Sequence, residues 1–524
     1  MKYPSIFNDI IGPVMRGPSS SHCAAALRLG KMARDLMDGN IREVQIELDS
    51  SGAFATTHRQ QGTDMGLFAG LLGWEITDER LPQSEKAIAE AGISIGIKIS
   101  DFGLTHPTAI RLILKNRREQ HEVTAISTGG GIIEIISIDS LSISIAGDYC
   151  ETLIFCDSHD KISVDRLPAD IKADEIHLIE GKEFDIVQIK SRKFPVADIT
   201  SELESTSHVR YVRKISPVLP VLSRKDLEVP FITAGEMVEY NKERNLQLWE
   251  LAIIYEMARG DLSYDDVFQR MEKLVDIMHN SIHTGIRGTE YADRILGPQS
   301  GAFSKQMEEN RLIEGGVLNQ IILYVTAMME MKSSLGIIIA APTAGACGAL
   351  PGACLGAASV MGLSREEITR AMLAAGIIGV FIGHRATLAA EVGGCQAECG
   401  AGSGMAAAAL VTLAKGNVQQ ALAAASMALQ NVMGMICDPV ANRVEVPCLG
   451  KNVMAAANAL VCANMALADF DEVIPLDETI ETMDAVGKSI PASLRCTALG
   501  GLSITRTSRE IAERLGQFKD LSDE

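Results

Sequence analysis

Ser216-Pro217-Val218-Leu219-Pro220 decides how this chain is divided. Two prolines so close cannot lie within a helix or a central strand, because each lacks a main-chain donor and fixes its own φ. On the N-terminal side the text is mixed α/β. Residues 43–48 alternate, with Val44, Ile46 and Leu48 on one face of a strand. Residues 64–72 read as a helix. A β-branched run over 124–137 is broken by Gly129-Gly130-Gly131, where main chain must turn tightly or approach a ligand. Short strand-like runs follow at 142–145, 152–156, 175–179 and 184–189, with one helical stretch among them, a βαββ pattern. Beyond the prolines nearly everything reads as helix with glycine-rich breaks: 234–259, 264–281, 365–379, 405–415, 419–435 and 452–467. Ser364 and Glu367 have the spacing of a capping box. The chain is therefore expected to be α+β. An α/β domain covers 1–140, a small βαββ module 141–205, a linker 206–230 and a large all-helical domain 231–524, with function lying between the two halves.

The 524 residues fit about three domains. Aromatic residues are only 4%, while Ala, Gly and Met are plentiful, which favours closely packed helices over a sandwich. A formal charge of −19 argues against a nucleic-acid partner, whose affinity needs a basic footprint. It still allows a small anionic substrate in one cationic pocket. The opening MKYPSIFNDI lacks the apolar core of a signal peptide. Residues 335–363 are uncharged and long enough to span a bilayer, but Pro342, Pro351 and six glycines rule out a lipid-exposed helix. A cytoplasmic protein with no membrane partner is expected. Eleven cysteines, an odd number, do not read as a disulfide framework.

Three of those cysteines stand out. Cys395 lies in EVGGCQAECGAGSG, Cys437 in ICDPVAN and Cys448, eleven residues later, in EVPCLGKN. With no C-x-x-C pair, a zinc ribbon or ferredoxin-type run is excluded. Spacing alone leaves an iron–sulfur site and three buried thiols both open. Cys347, Cys354, Cys399 and Cys462 lie in Ala/Gly-rich text and read as core. Gly17-Pro18-Ser19-Ser20-Ser21-His22 is either a helix cap or a donor loop for a carboxylate. His58 and Thr63-Asp64 flank a turn, and Ala341 to Gly348 (APTAGACG) makes a small-residue turn into a helix. No dinucleotide-type glycine loop or nucleophile elbow is present, and no lysine sits in a convincing pyridoxal setting.

Taken together these motifs resemble the iron–sulfur-dependent L-serine dehydratases (L-serine ammonia-lyases), with β and α parts fused in one chain. GPSSSH, STGGG at 127–131 and THP at 105–107 resemble the β part. PTAGACG, GGCQAECG, CDPVANRVEVPC and the late TALGGLSIT resemble the α part. The resemblance implies a 4Fe–4S cluster held by Cys395, Cys437 and Cys448, with a fourth iron left for substrate. It implies a first domain like an allosteric substrate-binding domain and a degenerate ACT-like middle module. Some members close the fourth iron with a C-terminal cysteine, whereas this chain ends Leu521-Ser522-Asp523-Glu524. The implied reaction is dehydration and deamination of L-serine to pyruvate and ammonia, the open iron acting as a Lewis acid on the hydroxyl. Ser19, Ser20, Ser21, Gln61, Thr63, Asp64, Thr343 and Arg385 would contact substrate, and a homo-oligomer is expected.

Several positions depart from the family pattern. Gln61 stands where members carry the histidine favoured as base, which passes that role to His58 or His22. Cys23 replaces a Thr, Ala344 an Asn and Cys496 a Glu, and Arg385 follows His384 upstream of Cys395. These changes read either as subfamily drift or as a retained cofactor with altered chemistry. In the second case the chain is a cluster-dependent hydro-lyase, desulfidase or epimerase on another small polar amino or hydroxy acid. A non-catalytic iron–sulfur or amino-acid sensor is the remaining alternative.

Overall fold

A computed structural model describes residues 3–101, 103, 106–157, 172–196 and 208–516. Its first strand, β1 (Val14–Met15), already joins the halves by pairing antiparallel with Ile338–Ile339. The N-terminal half is built on β2 (Glu43–Asp49), β3 (Ser94–Ser100), β4 (Ala109–Lys115), β5 (Gln120–Gly129), β6 (Ile132–Ile138) and β7 (Leu141–Ile145), in the order β3-β2-β4-β5-β6-β7. β2 and β3 are parallel and the other pairs antiparallel. The alternation in β2 sends Val44, Ile46 and Leu48 into one apolar cluster with Leu29 and Leu36 of α1 (Ala25–Leu36). Around it lie α2 (Phe54–Gln61), α3 (Thr63–Leu71) and α4 (Ser84–Glu90). α1 and α3 pack with main chains almost touching: a Cβ on Gly70 would lie 2.1 Å from the Leu27 carbonyl oxygen.

The triple glycine turns β5 into β6 with φ of 99°, 61° and 91°, which glycine alone adopts without cost. The close approach it permits is to the chain itself, since Gly129 bridges Leu388 in the helical half. Thr105, in the THP motif, lies outside the described residues.

A second sheet holds β8 (Cys150–Asp157), β9 (Glu175–Ile179), β10 (Phe184–Ser191) and β11 (Val209–Ile215), antiparallel in the order β11-β8-β10-β9. Two details differ from the sequence reading. The strand expected at 142–145 pairs with β6 in the larger sheet. β11 falls in the expected linker, where Arg210, Arg213 and Lys214 mask the alternation. Arg210 ion-pairs with Asp157, and Arg213 with Glu119 in the turn between β4 and β5. The helical stretch expected inside the module lies outside the described residues.

The helical half comprises α5 (Ala234–Asn241), α6 (Leu248–Gly260), α7 (Tyr264–Arg287), α8 (Ser300–Glu308), α9 (Val317–Ser333), the short β12 (Ile338–Ile339), α10 (Ala349–Met361), α11 (Arg365–Arg385), α12 (Ala390–Gly393), α13 (Cys399–Leu413), α14 (Val418–Gln430), α15 (Cys448–Leu467), α16 (Leu476–Ser489) and α17 (Arg506–Arg514). The single helix expected over 234–259 is two, because Asn245 turns left-handed (φ 51°) and Gln247 with Glu250 caps a new start. The Ser364–Glu367 capping box forms as expected. α13 is buried along nearly its whole length between α10, α11, α14 and α15, its small residues admitting all four. Residues 344–361 and 365–385 are long and apolar enough to cross a membrane; 83% of the first, and 78% of an apolar 18-residue stretch of the second, is buried inside the fold. The N-terminal segment reaches into this half too, Ile6 and Ile10 filling a notch at Gly376 and Gly379 of α11.

Candidate active site

Four stretches remote in sequence meet where the halves join. The first is the serine loop. Ser20–Ala24 forms one wide π-helical turn, with Ser19 extended before it. Thr57 gives its hydroxyl proton to the Ala53 carbonyl (2.6 Å), so His22 must donate Nε2–H to Thr57 Oγ1 (2.8 Å). Nδ1 is then the acceptor for Ser19 Oγ at 3.0 Å. Burial, with the neighbouring His58, pushes His22 down to about 3, so the ring is neutral. Ser21 donates to Glu391 at 2.6 Å, and Ser20 Oγ accepts the Ala344 amide at 3.1 Å. Ser20 and Ser21 thus bind the loop to the helical half, while His22 ties it to α2.

The second stretch is the Thr343 turn. Thr343 caps Ala344–Ala346, and its hydroxyl also meets the Glu398 carboxyl. The third joins α2 to α3. His58 Nδ1 lies 2.8 Å from both carboxylate oxygens of Asp64. Gln61 Nε2 points to Cys496 Sγ at 3.3 Å, and Thr63 Oγ1 is buried with no partner among the described residues.

The fourth is the thiol centre. Cys395 opens a tight turn behind Gly394 (φ 72°), and Cys448 begins α15. Cys437 bridges Arg495, which sets Cys496, itself left-handed (φ 59°), beside it. Cys395, Cys437 and Cys496 pack against one another around Ala390. Lys451 faces them from α15, its Nζ 2.9 Å from Asp438 Oδ1, 2.7 Å from the Ile436 carbonyl and 3.8 Å from Cys395 Sγ. All eleven cysteines are buried free thiols, in keeping with the absence of a disulfide framework. Burial lifts the Cys448 thiol to about 12, and the adjacent thiols hold Cys437 well above its ordinary range. Such thiols surrender their protons only to a strong competitor such as a metal.

A narrow cavity runs between these stretches, lined by Ser19, Gln61, Glu391, Glu398, Cys437 and Cys448 among others. Glu391 is raised by burial. Glu398 is raised to about 7 by burial and by Glu391. Among the described residues no three His, Cys, Asp or Glu side chains are grouped closely enough to hold a single metal ion. The thiolates of a four-iron cluster each bind a different iron and stand further apart, so this does not speak against one. Convergent soft donors in a buried, weakly polar pocket, with an ammonium beside them, fit such a cluster.

Of the residues singled out from sequence, the fold brings Ser19, Ser20, Ser21, Gln61, Thr343 and the three cysteines together. His22 stands directly behind them. His58, Asp64 and Arg385 do not line this cavity, and Arg385 ion-pairs with Glu481 on α16. Sequence reading passed over Glu391, Glu398 and Lys451. The two glutamates flank Cys395 in an otherwise uncharged stretch, which is the signal that marks them.

Residues 243–503 match the family described as serine dehydratase alpha chain. The chain is 34% identical over 285 residues to the probable L-serine dehydratase, alpha chain, of Bacillus subtilis, covering 54% of this chain and 95% of that protein. It is 26% identical over 522 residues to the L-serine dehydratase of Haemophilus influenzae, covering 93% and 96%. L-serine dehydratase 1 of Escherichia coli is 31% identical over 291 residues, covering 52% and 62%.

Proposed function

The chain belongs to the serine dehydratase family, and from that premise we propose that it is a lyase converting L-serine to pyruvate and ammonia. The observation that carries this reading is the meeting of Cys395, Cys437 and Cys448 with the Ser19 loop and the Thr343 turn at one buried cavity. The three cysteines would hold a 4Fe–4S cluster, which supplies a Lewis acid for departure of the substrate hydroxyl.

The chain's own residues do the rest. Ser19, its hydroxyl oriented by the neutral His22 ring, and Thr343 supply hydroxyls to polar groups of the substrate and fix its orientation. Glu391 is the acceptor suited to a substrate ammonium, having an oxygen with no described partner. Burial of the cavity keeps bulk water from competing for these groups. For the Cα proton we favour His58, which does not line the cavity itself but stands one helical turn before the lining residue Gln61 on α2. Asp64 meets its Nδ1, which leaves Nε2 as the nitrogen to accept.

In this reading residues 1–140 are the β-type domain and 231–524 the α-type iron–sulfur domain. The module at 141–205 is ACT-like. The antiparallel order β11-β8-β10-β9 supports an open-faced sheet of that kind, with β11 extending it past residue 205. The protein would act in the cytoplasm as a homo-oligomer. Exposed Val360, Met361, Met454 and Val461 on α10 and α15 support association.

The test is an anaerobic assay of cluster-reconstituted protein with L-serine, following pyruvate and iron–sulfur absorbance together. Pyruvate formation with an intact cluster is expected. One observation favours a second reading: Gln61, where the family carries a histidine, is bound to Cys496. An intact cluster without pyruvate would move the search to other small polar amino or hydroxy acids.

A further inference from the structure

Lys332 lies in the last turn of α9, wholly buried, and its Nζ makes no hydrogen bond to any described residue. An unpaired buried ammonium is among the costliest arrangements a fold can keep. The carboxylates around it are committed elsewhere. Glu330 accepts from the Ser300 amide and hydroxyl (3.0 and 2.6 Å) and from the Gln299 amide. Glu445 accepts the Ile295 and Leu296 amides, and Asp293 pairs with Arg443. Glu398, whose carboxyl feels the Lys332 charge, is bound to Thr343.

The space beside Lys332 is part of the observation. It lines a cavity of ≈ 70 Å³ with Gly62, Val444 and Glu445, and Val444 also lines the thiol cavity. That is the liquid volume of about two waters, enough for a carboxylate. Ser19 and Glu391, which line the thiol cavity, and Thr343 offer neutral or acceptor groups and cannot neutralise an anion.

We propose that Lys332 receives the carboxylate of the substrate, making it the residue that selects small acids over their uncharged analogues. This rests on reading the cavity as the substrate site. Lys332→Met keeps the length and removes the charge, and Lys332→Gln serves if the Met variant does not fold. With anaerobic, cluster-reconstituted full-length protein, KM for L-serine should rise on the order of 30-fold with kcat within about fivefold, the loss of one charged hydrogen bond. Calorimetric titration should show L-serine and glycolate binding the wild type. L-serinamide should bind at least about tenfold more weakly, and glycolate binding should be lost in the variant.

Unchanged glycolate affinity in the variant, equal binding of L-serine and L-serinamide, or a fall in kcat with KM preserved would overturn the assignment. So would failure of both acids to bind the wild type. The two readings fail separately. No pyruvate, with glycolate binding that depends on Lys332, removes L-serine as substrate and keeps the anion site. Normal turnover with no effect of the substitution does the reverse.

Discussion

The main-chain N–H of Cys496 donates to the carbonyl of Cys437 at 3.0 Å, while the Cys437 N–H donates to Leu494 at 2.8 Å. Two thiols 59 positions apart are thus held side by side by main chain, before any metal is considered. Their spacing follows from the fold.

Cys437→Ser should therefore abolish iron–sulfur absorbance and bound iron after anaerobic reconstitution. Cys462→Ser should leave both unchanged, since Cys462 is buried on α15 against Asn431 and away from the thiol cavity. Iron content per chain, measured beside the absorbance, checks this. Equal loss in both would show that the ligand assignment is wrong.

His58→Ala should lower kcat by about 100-fold or more if Nε2 accepts the Cα proton. Exchange of the Cα hydrogen of L-serine with solvent deuterium should fall in parallel. A drop of less than about tenfold would move the role elsewhere.

Gly70→Ala should destabilise the protein by about 3 kcal/mol, seen as a lower thermal midpoint, because the new Cβ meets the Leu27 carbonyl of α1. Gly92→Ala is the control. No atom lies within 4 Å of a Cβ there, and its positive φ (74°) limits the cost to local strain of about 1 kcal/mol.

Glu256 gives a pH prediction. Its carboxyl accepts Ser5 Oγ (2.5 Å) and the Ile6 amide (2.8 Å), and burial raises it to about 7 despite those bonds and Arg259, with Asp9 adding repulsion. The folded chain holds this proton more tightly than the unfolded one. The stabilisation is therefore full below the ordinary carboxylate value near 4.5 and is lost as pH rises through about 7. Thermal midpoints should fall across that window by the equivalent of about 3 kcal/mol. Glu256→Gln should flatten that part of the curve, and an unchanged slope would assign it to other groups.

Most helices and strands were legible because periodicity and capping act locally. Residues 43–48 and 365–379 show this most directly. β11 was not legible, because its Arg210 and Arg213 gain partners only after the sheet forms. The three cysteines proposed as ligands stood out through motif resemblance, and spacing alone left them ambiguous. Lys332 was invisible for a different reason. A lysine ending an apolar helix ordinarily reaches solvent, and only the packing of α9 against its neighbours shows that this one does not.

The pairing of β1 with β12 and the seating of Ile6 and Ile10 in α11 have a kinetic consequence. Because one polypeptide carries both sides of the cavity, assembling the site is first-order, with a local concentration fixed by the tether between the halves. A chain cut at Pro217–Pro220 would have to find its own other half, and its activity would fall on dilution.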